Sequence, residues 1–390
     1  MVWALAVTET VAYGVLFYSF AVFLVPMQRD LGASTAQLSG ALTLAMAVTG
    51  VAAPGVGRWL DRHGARWLMT AGSLLGAACV VGWSQVRTLP QLYLVFTGIG
   101  LACAAVLYEP AYAVINTWFH RDRRAALLTL TVVAGFASTV FLPTSQALID
   151  GLGWRGALLV LAGLVALCAV PHALLLRRSP ADLGLDPDGD VAPTAGSSAP
   201  AAPPAPPTAG VDPWRHPAVR RLTLATALEM LATTAVAVHL VAHLLERGAP
   251  PPLAAAAAGA LGAMSVAGRV ALTALAGRLG TGPVSASLLA GQAVGVGLLF
   301  GAGFGVIHIA RPALLGSYVP AAVFASVSGG QALAGQLGRV VAPVAAGALI
   351  GAAGYGVAFG AVAACTLAAA ALILSAERAA ALTPERAAPR

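Results

Sequence analysis

Twelve apolar runs, each about as long as a bilayer is thick, leave this chain little choice of solvent. An α-helix needs about 20 mostly apolar residues to cross the roughly 30 Å hydrocarbon core of a membrane. On that rule the first half supplies roughly Val2 to Met27, Leu38 to Val56, Trp67 to Val86, Leu89 to Phe119, Ala125 to Ile149 and Trp154 to Leu176. The second half supplies roughly Val219 to Leu245, Leu253 to Ala276, Val284 to Phe300, Phe304 to Tyr318, Val323 to Ile350 and Tyr355 to Ala376. Only 9% of the 390 residues are charged against 58% hydrophobic, too little polar surface to cover a soluble globule of this size. The expected fold is an all-α membrane protein with twelve transmembrane helices.

The 22 basic residues are all arginine, and they cluster where the runs end. Arg58 to Arg66, His120 to Arg124 and Arg177-Arg178 fall on one side, whereas the other carries only Arg29-Asp30, Arg87 and Asp150 with Arg155. The positive-inside rule makes the first side cytoplasmic, and Arg378, Arg386 and Arg390 draw the carboxyl terminus there too. Both termini are therefore expected in the cytoplasm, in a plasma membrane whose anionic headgroups meet the arginine-bearing loops. The same clustering explains the net charge of +7 without a nucleic-acid partner. Cys79, Cys103, Cys168 and Cys365 stand singly within apolar runs, as small packing residues do. No nucleophile, metal or cofactor motif suggests an enzyme, and no cofactor is expected.

Between Ser179 and Pro217 the composition changes. Asp182, Asp186, Asp188 and Asp190 precede an Ala/Pro/Ser stretch that cannot build a core, which reads as a disordered cytoplasmic linker over 179–217. It separates a six-helix bundle at 1–178 from another at 218–378 and leaves 379–390 as a tail. The halves also repeat each other, the mark of a pseudo-symmetric transporter. Gly135, Pro143, Ala147-Leu-Ile149 and Trp154 recur as Gly335, Pro343, Ala348-Leu-Ile350 and Tyr355, and Glu109-Pro110-Ala111 as Arg311-Pro312-Ala313. Nearer the start, Glu9 matches Glu229 and Gly57-Arg58 matches Gly277-Arg278, each 220 residues on. About twenty residues are thus missing between Arg278 and Arg311 on this alignment, so helices 9 and 10 are expected to be shortened. An ordinary pair with a minimal turn is the alternative.

An ionised side chain at bilayer depth costs at least about 2.5 to 3.5 kcal/mol, so each needs a partner, an aqueous cavity or a proton. Glu9, Glu109 and Glu229 are candidates for proton coupling, and a buried ion pair that locks helices is the bland alternative for each. Arg269, with Arg339 and Arg311, is a candidate anion ligand, because a guanidinium takes a carboxylate by two parallel hydrogen bonds. The competing possibility is that Arg269 and Arg339 pair with Glu109 and Glu229. Tyr13, Tyr18 and Tyr108 offer hydroxyls to a ligand, or simply pack. His239 and His243 stand one turn apart without a third ligand, so no metal site is expected. His308 has no assigned role.

One polar break stands out, Gly57-Arg-Trp-Leu-Asp61-Arg62-His-Gly64-Ala-Arg66. It is expected to be a tight charged turn in which Gly57 and Gly64 supply backbone freedom. Its pattern resembles the loop 2–3 signature of the major facilitator superfamily of secondary transporters. The run Tyr13 to Phe20, Gly153-Trp154-Arg155, Ser179-Pro-Ala-Asp182-Leu-Gly184 and Gly268-Arg269 look like its monocarboxylate and oxalate–formate branch. That resemblance implies two six-helix bundles, a central cavity lined by helices 1, 4, 7 and 10, and a helix 8 arginine, here Arg269, in anion binding or proton coupling. Ser265 stands where some members carry an acid one turn before that arginine.

The expected function is alternating-access transport of a small, monocarboxylate-like organic anion, coupled to protons. Export of a drug or secondary metabolite is the alternative, and a non-transporting sensor a further one. Asp61 is expected to face a helix amino terminus, that of helix 11, as a gate, with Arg62 or Arg66 as its mobile partner.

Overall fold

Lipid offers no hydrogen-bond partner to a peptide group, so each span of this chain must satisfy its own backbone as helix. The structure, a computed structural model, describes residues 1–189, 212–294 and 298–381. The first span is α1 (Val2–Tyr13), a single π-helical turn at Gly14–Tyr18, and α2 (Phe20–Leu31). Ser19 Oγ donates to the Gly14 carbonyl at 2.8 Å and meets Ser145 Oγ at 2.9 Å, satisfying part of the widened turn. Next come α3 (Thr35–His63), which opens on a Ser34–Gln37 capping box, and α4 (Arg66–Ser84). The fourth span, expected as one helix, is α5 (Leu89–Val106) and α6 (Tyr108–Trp118), broken where Leu107 is extended at φ −83°, ψ −163°. Pro110 explains the break, because it has no N–H to return to the Val106 carbonyl.

After α7 (Arg123–Gly135), α8 (Ala137–Leu175) completes a run from Arg123 to Leu175. That run of 53 residues would be about 80 Å long as a rod. It holds two spans instead, which part at Gly153, where φ is 70°. The second half is α9 (Pro217–Glu246), α10 (Pro251–Leu279), α11 (Thr281–Val294), α12 (Leu298–Tyr318) and α13 (Ala321–Ala381). α13 likewise turns back at Gly354, with φ 80° and ψ 169° against 70° and 164° at Gly153.

These glycines set the register of the repeat. Gly354 follows Gly153 by 201 residues, while the caps of α3 and α10, Gly64 and Gly280, both at positive φ, lie 216 apart. Arg278 therefore corresponds to Arg62 and Gly277 to Asp61, four residues off the alignment read from the recurring Gly-Arg pair. The shortfall is about fifteen residues, and it falls on α11 and α12. The described parts of this pair are Thr281–Val294 and Leu298–Tyr318, and 295–297 between them lie outside the described residues.

The chain forms two compact units, Met1–Ala201 with Ala321–Gly330, and Ala202–Pro320 with Gln331–Arg390. The first ten residues of α13 therefore belong with the amino-terminal unit. The core of that unit stacks Phe20, Phe23, Trp83 and Phe96, with Trp83 Nε1 donating to Met27 Sδ at 3.0 Å. At the side poor in arginine, Arg155 pins three spans by donating to Ser84 O at 2.5 Å, Val86 O at 2.8 Å and Asp30 Oδ2 at 2.7 Å.

Two expectations are corrected here. Gly57 is not in a turn, for α3 continues through His63 and the reversal takes only Gly64 and Ala65. Gly57 instead permits contact, since a Cβ there would come within 2.2 Å of the Ala325 carbonyl oxygen, and one on Gly329 within 2.3 Å of that of Ala53. The start of the linker is also ordered. Ser179 and Asp182 cap a short 3-10 turn, Pro180–Leu183, and a second turn, Pro187–Gly189, presents Asp188 to the loop before α7. There its carboxylate accepts the N–H groups of His120, Arg121 and Asp122 and lies 3.7 Å from the Arg121 guanidinium. Residues 190–211 of the expected linker, and 382–390 of the tail, lie outside the described residues.

Gly57→Leu should lower the thermal stability of the purified protein by about 1–3 kcal/mol, because backbone rather than a movable side chain blocks the new atoms. Gly55→Leu, with nothing within 4 Å of its Cβ position, should not, and equal melting temperatures for the two would refute the close-packing account. Partial shielding pushes the Asp188 pKa up, but the three N–H groups and Arg121 outweigh it and hold the carboxyl below the usual aspartate range. A depressed folded pKa stabilises docking above the unfolded value and loses that contribution as pH falls through the folded one. Limited proteolysis after 119–123 should thus be slow at neutral pH and speed up below the aspartate range, and Asp188→Asn should be fast at both.

Candidate functional site

In the amino-terminal unit the acids gather on α1 and α6. Glu9 is fully buried, and neither carboxyl oxygen has a hydrogen-bond partner among the described residues. Glu109 lies within its electrostatic reach, as do Cys103 and Cys168. The Leu107 break puts Tyr108 and Glu109 in the first turn of α6, where a helix favours negative charge. Glu109 Oε2 accepts the Ser328 hydroxyl at 2.5 Å. Beside these acids Tyr13 packs on Tyr108 at 4.7 Å between centroids, and Tyr108 stacks on Tyr112 at 5.2 Å and 5°. Tyr18 meets Phe17 and Tyr13 at its exposed edge.

Sequence reasoning missed the polar bridge next to Glu9. His172, 2% exposed, reaches Thr8 Oγ1 at 3.0 Å through Nε2 and Ser73 Oγ at 3.0 Å through Nδ1. Thr8 Oγ1 also reaches the Leu5 carbonyl at 3.0 Å and His172 Nδ1 the Met69 carbonyl at 3.3 Å, so the imidazole ties α1, α4 and α8 together. A lone histidine in the apolar run of the sixth span was the available signal.

At the arginine-rich end, Asp61 Oδ1 accepts the Ala325 N–H at 2.9 Å and Oδ2 the Ser326 N–H at 2.8 Å. Both belong to the second turn of α13, near its amino terminus, where the helix dipole favours a carboxylate. A cavity of about 210 Å³ beside it is lined by Asp61, Gly64, Thr117, Arg177, Arg178 and the start of α13. Arg62 is exposed, and Arg66 donates to the Ala173 carbonyl at 2.7 Å and lies over the Trp67 ring. The partners of Asp61 are therefore backbone N–H groups near the amino terminus of the eleventh span, with the Ser326 hydroxyl, rather than either arginine.

In the carboxyl-terminal unit Glu229 is fully buried, and its Oε1 accepts Gln292 Nε2 at 2.9 Å. Among the described residues no arginine pairs with it, so the expected alternative of an Arg–Glu229 lock is not what this unit uses. Arg269 and Arg311 are each 6% exposed, and Arg339 Nε reaches Met230 Sδ at 3.3 Å. His308 lies within electrostatic reach of all three guanidiniums, which stand on α10, α12 and α13. His239 faces the Pro343 carbonyl at 3.3 Å and His243 packs on Tyr355 and Phe359. Among the described residues no group of metal-ligating side chains gathers.

The sequence profile of the Major Facilitator Superfamily matches residues 7–300. The chain belongs to that superfamily. Its members are transporters and not enzymes, and this one is a multi-pass membrane protein of the twelve-helix fold. Among curated relatives, mouse monocarboxylate transporter 11 is 33% identical over 210 residues, 53% of this chain and 43% of that one. Human monocarboxylate transporter 11 is 33% identical over 238 residues, 58% of this chain and 46% of that one. The matched segment is thus about half the length of these relatives or less. Among solved structures, a bacterial homologue of the iron transporter ferroportin matches with a TM-score of 0.74 at 14% identity, covering 97% of this chain and 99% of that one. The human organic anion transporter MFSD10 matches at 0.69 and 15%, covering 95% and 97%. These likenesses show the fold.

Proposed function

We propose that this protein is a secondary transporter of a small organic anion of the monocarboxylate type, coupled to protons and working by alternating access. The observation that carries the reading is that Arg269 and Arg311 are both nearly buried in one apolar unit, with Arg339 in the same unit and His308 within electrostatic reach of all three. Positive charge collected at that depth costs too much to serve packing alone, and a planar guanidinium suits a carboxylate. Glu9, Glu109 and Glu229 supply the titratable groups that proton coupling needs, and Tyr13 and Tyr108 supply an aromatic wall with hydroxyls. The monocarboxylate transporters among the relatives and the organic anion transporter among the structures agree with this substrate class.

In this reading the arginine-rich side is the cytoplasmic side of the plasma membrane, with both termini there. Gly57, Asp61, Arg62, Gly64 and Arg66 then form the cytoplasmic gate. Asp61 holds the start of α13 in one state of the cycle and releases it in the other.

Proteoliposomes under an inward proton gradient should accumulate labelled lactate or pyruvate, and Arg269→Ala should cut that uptake by about 10²-fold, the loss of a charge-assisted bidentate contact. Absence of uptake across a panel of organic acids would reject the anion reading. Asp61→Asn should slow turnover while leaving melting temperature and substrate affinity largely intact. An unchanged turnover rate would remove the gate from the mechanism.

A further inference from the structure

The turn Ala325–Gly329 of α13 is gripped at three levels by one unit. Asp61 of α3 holds the Ala325 and Ser326 N–H groups, Gly329 lies against the Ala53 backbone, and between them Ser328 gives its hydroxyl to Glu109 of α6. Ser328 is 1% exposed and lies two residues past Ser326. We propose that Ser328 is a positioning residue that makes the Asp61 grip on α13 depend on the charge of Glu109. The proposal deepens the reading of Glu109 as a proton-carrying group.

The chemistry is a change in acceptor strength. A hydroxyl bonded to a carboxylate makes a charge-assisted hydrogen bond about twice as strong as one to a neutral acceptor. A proton taken from water onto Glu109 turns the carboxylate into a carboxylic acid, and Ser328 keeps only the weaker bond. Because the Ser328 and Asp61 contacts lie within one turn of the same helix, weakening the first loosens the backbone that the second holds. The titratable groups facing Glu109 come mainly from α1, which brings Glu9 and Tyr13. α5 brings Cys103 beside Glu9, and the Asp61 carboxylate of α3 lies at the Ala325 and Ser326 N–H groups, within one turn of Ser328. Tyr108 and Tyr112 flank it on its own helix.

Hydrogen–deuterium exchange of peptides covering 321–330, in the full-length purified protein, tests this without any substrate. After correction for intrinsic amide chemistry, Ser328→Ala at neutral pH should exchange about tenfold faster than the wild type, the scale of one lost hydrogen bond to a charged group. Glu109→Gln should do the same, and the double variant should be no faster than either single one. Acidification should speed the wild type, and both single variants should lose the same part of that rise, while Asp61→Asn removes the remainder. A Ser328→Ala protein with the wild-type pH profile, or effects of the two single variants that add, would overturn the proposal. Failure of the anion reading would appear separately, as absent uptake with this exchange pattern intact.

Discussion

A carboxylate set against backbone N–H groups near the amino terminus of a helix is the interaction on which the proposed gate depends. Asp61 occupies that place at the start of α13, accepting from Ala325 and Ser326. Two glycines let it do so. Gly57 and Gly329 bring the two backbones together where a methyl group would strike a carbonyl, and the capping distance follows from that approach. Ten residues of α13 thereby join the amino-terminal unit although the helix continues into the other. A bond between a charge and backbone dipoles at a membrane surface is strong enough to hold a helix and weak enough to break within a transport cycle.

The cost of charge in lipid explains how the remaining polar groups are arranged. The acids are held differently: Glu109 accepts the Ser328 hydroxyl and Glu229 the Gln292 amide, whereas Glu9 is buried without a hydrogen bond among the described residues and close enough to Glu109 that two negative charges there would repel. Arg269, Arg311 and Arg339 lie in the other unit, each within electrostatic reach of His308. In the proposed cycle, Glu9 and Glu109 in one unit and Glu229 in the other manage the proton, and the arginines in the same unit as Glu229 attract the anion. The π-helical turn at Gly14–Tyr18 and the break at Leu107 fall beside Tyr13 and Tyr108 respectively, so irregular backbone appears next to the candidate polar residues.

Much of the fold was legible in the sequence because the bilayer imposes a length and a periodic polarity. Span positions, the repeat and the shortfall before Arg311 all follow from that rule, and the charged residues announce themselves against an apolar background. Other features depend on three-dimensional approach. Gly57 reads as a turn residue until the carbonyl opposite it is seen, and the Gly-Arg pair misplaced the repeat by four residues because cap geometry, not identity, sets its register. His172, Gln292 and Ser328 carry ordinary sequence signals, and only the partner across the bundle reveals their part. The fourth span reads as one helix, and the Leu107 break follows from Pro110, whose missing N–H interrupts the ladder.

The central claim is that the start of α13 leaves Asp61 and returns to it during transport. Spin labels on the exposed positions Arg62→Cys and Ala322→Cys, in a background with the four native cysteines replaced, report that separation by double electron–electron resonance. The account predicts two distance populations whose balance shifts toward the longer one when acid and an organic anion are both present. One short distance, unmoved by acid or substrate in a protein that still transports, would contradict it.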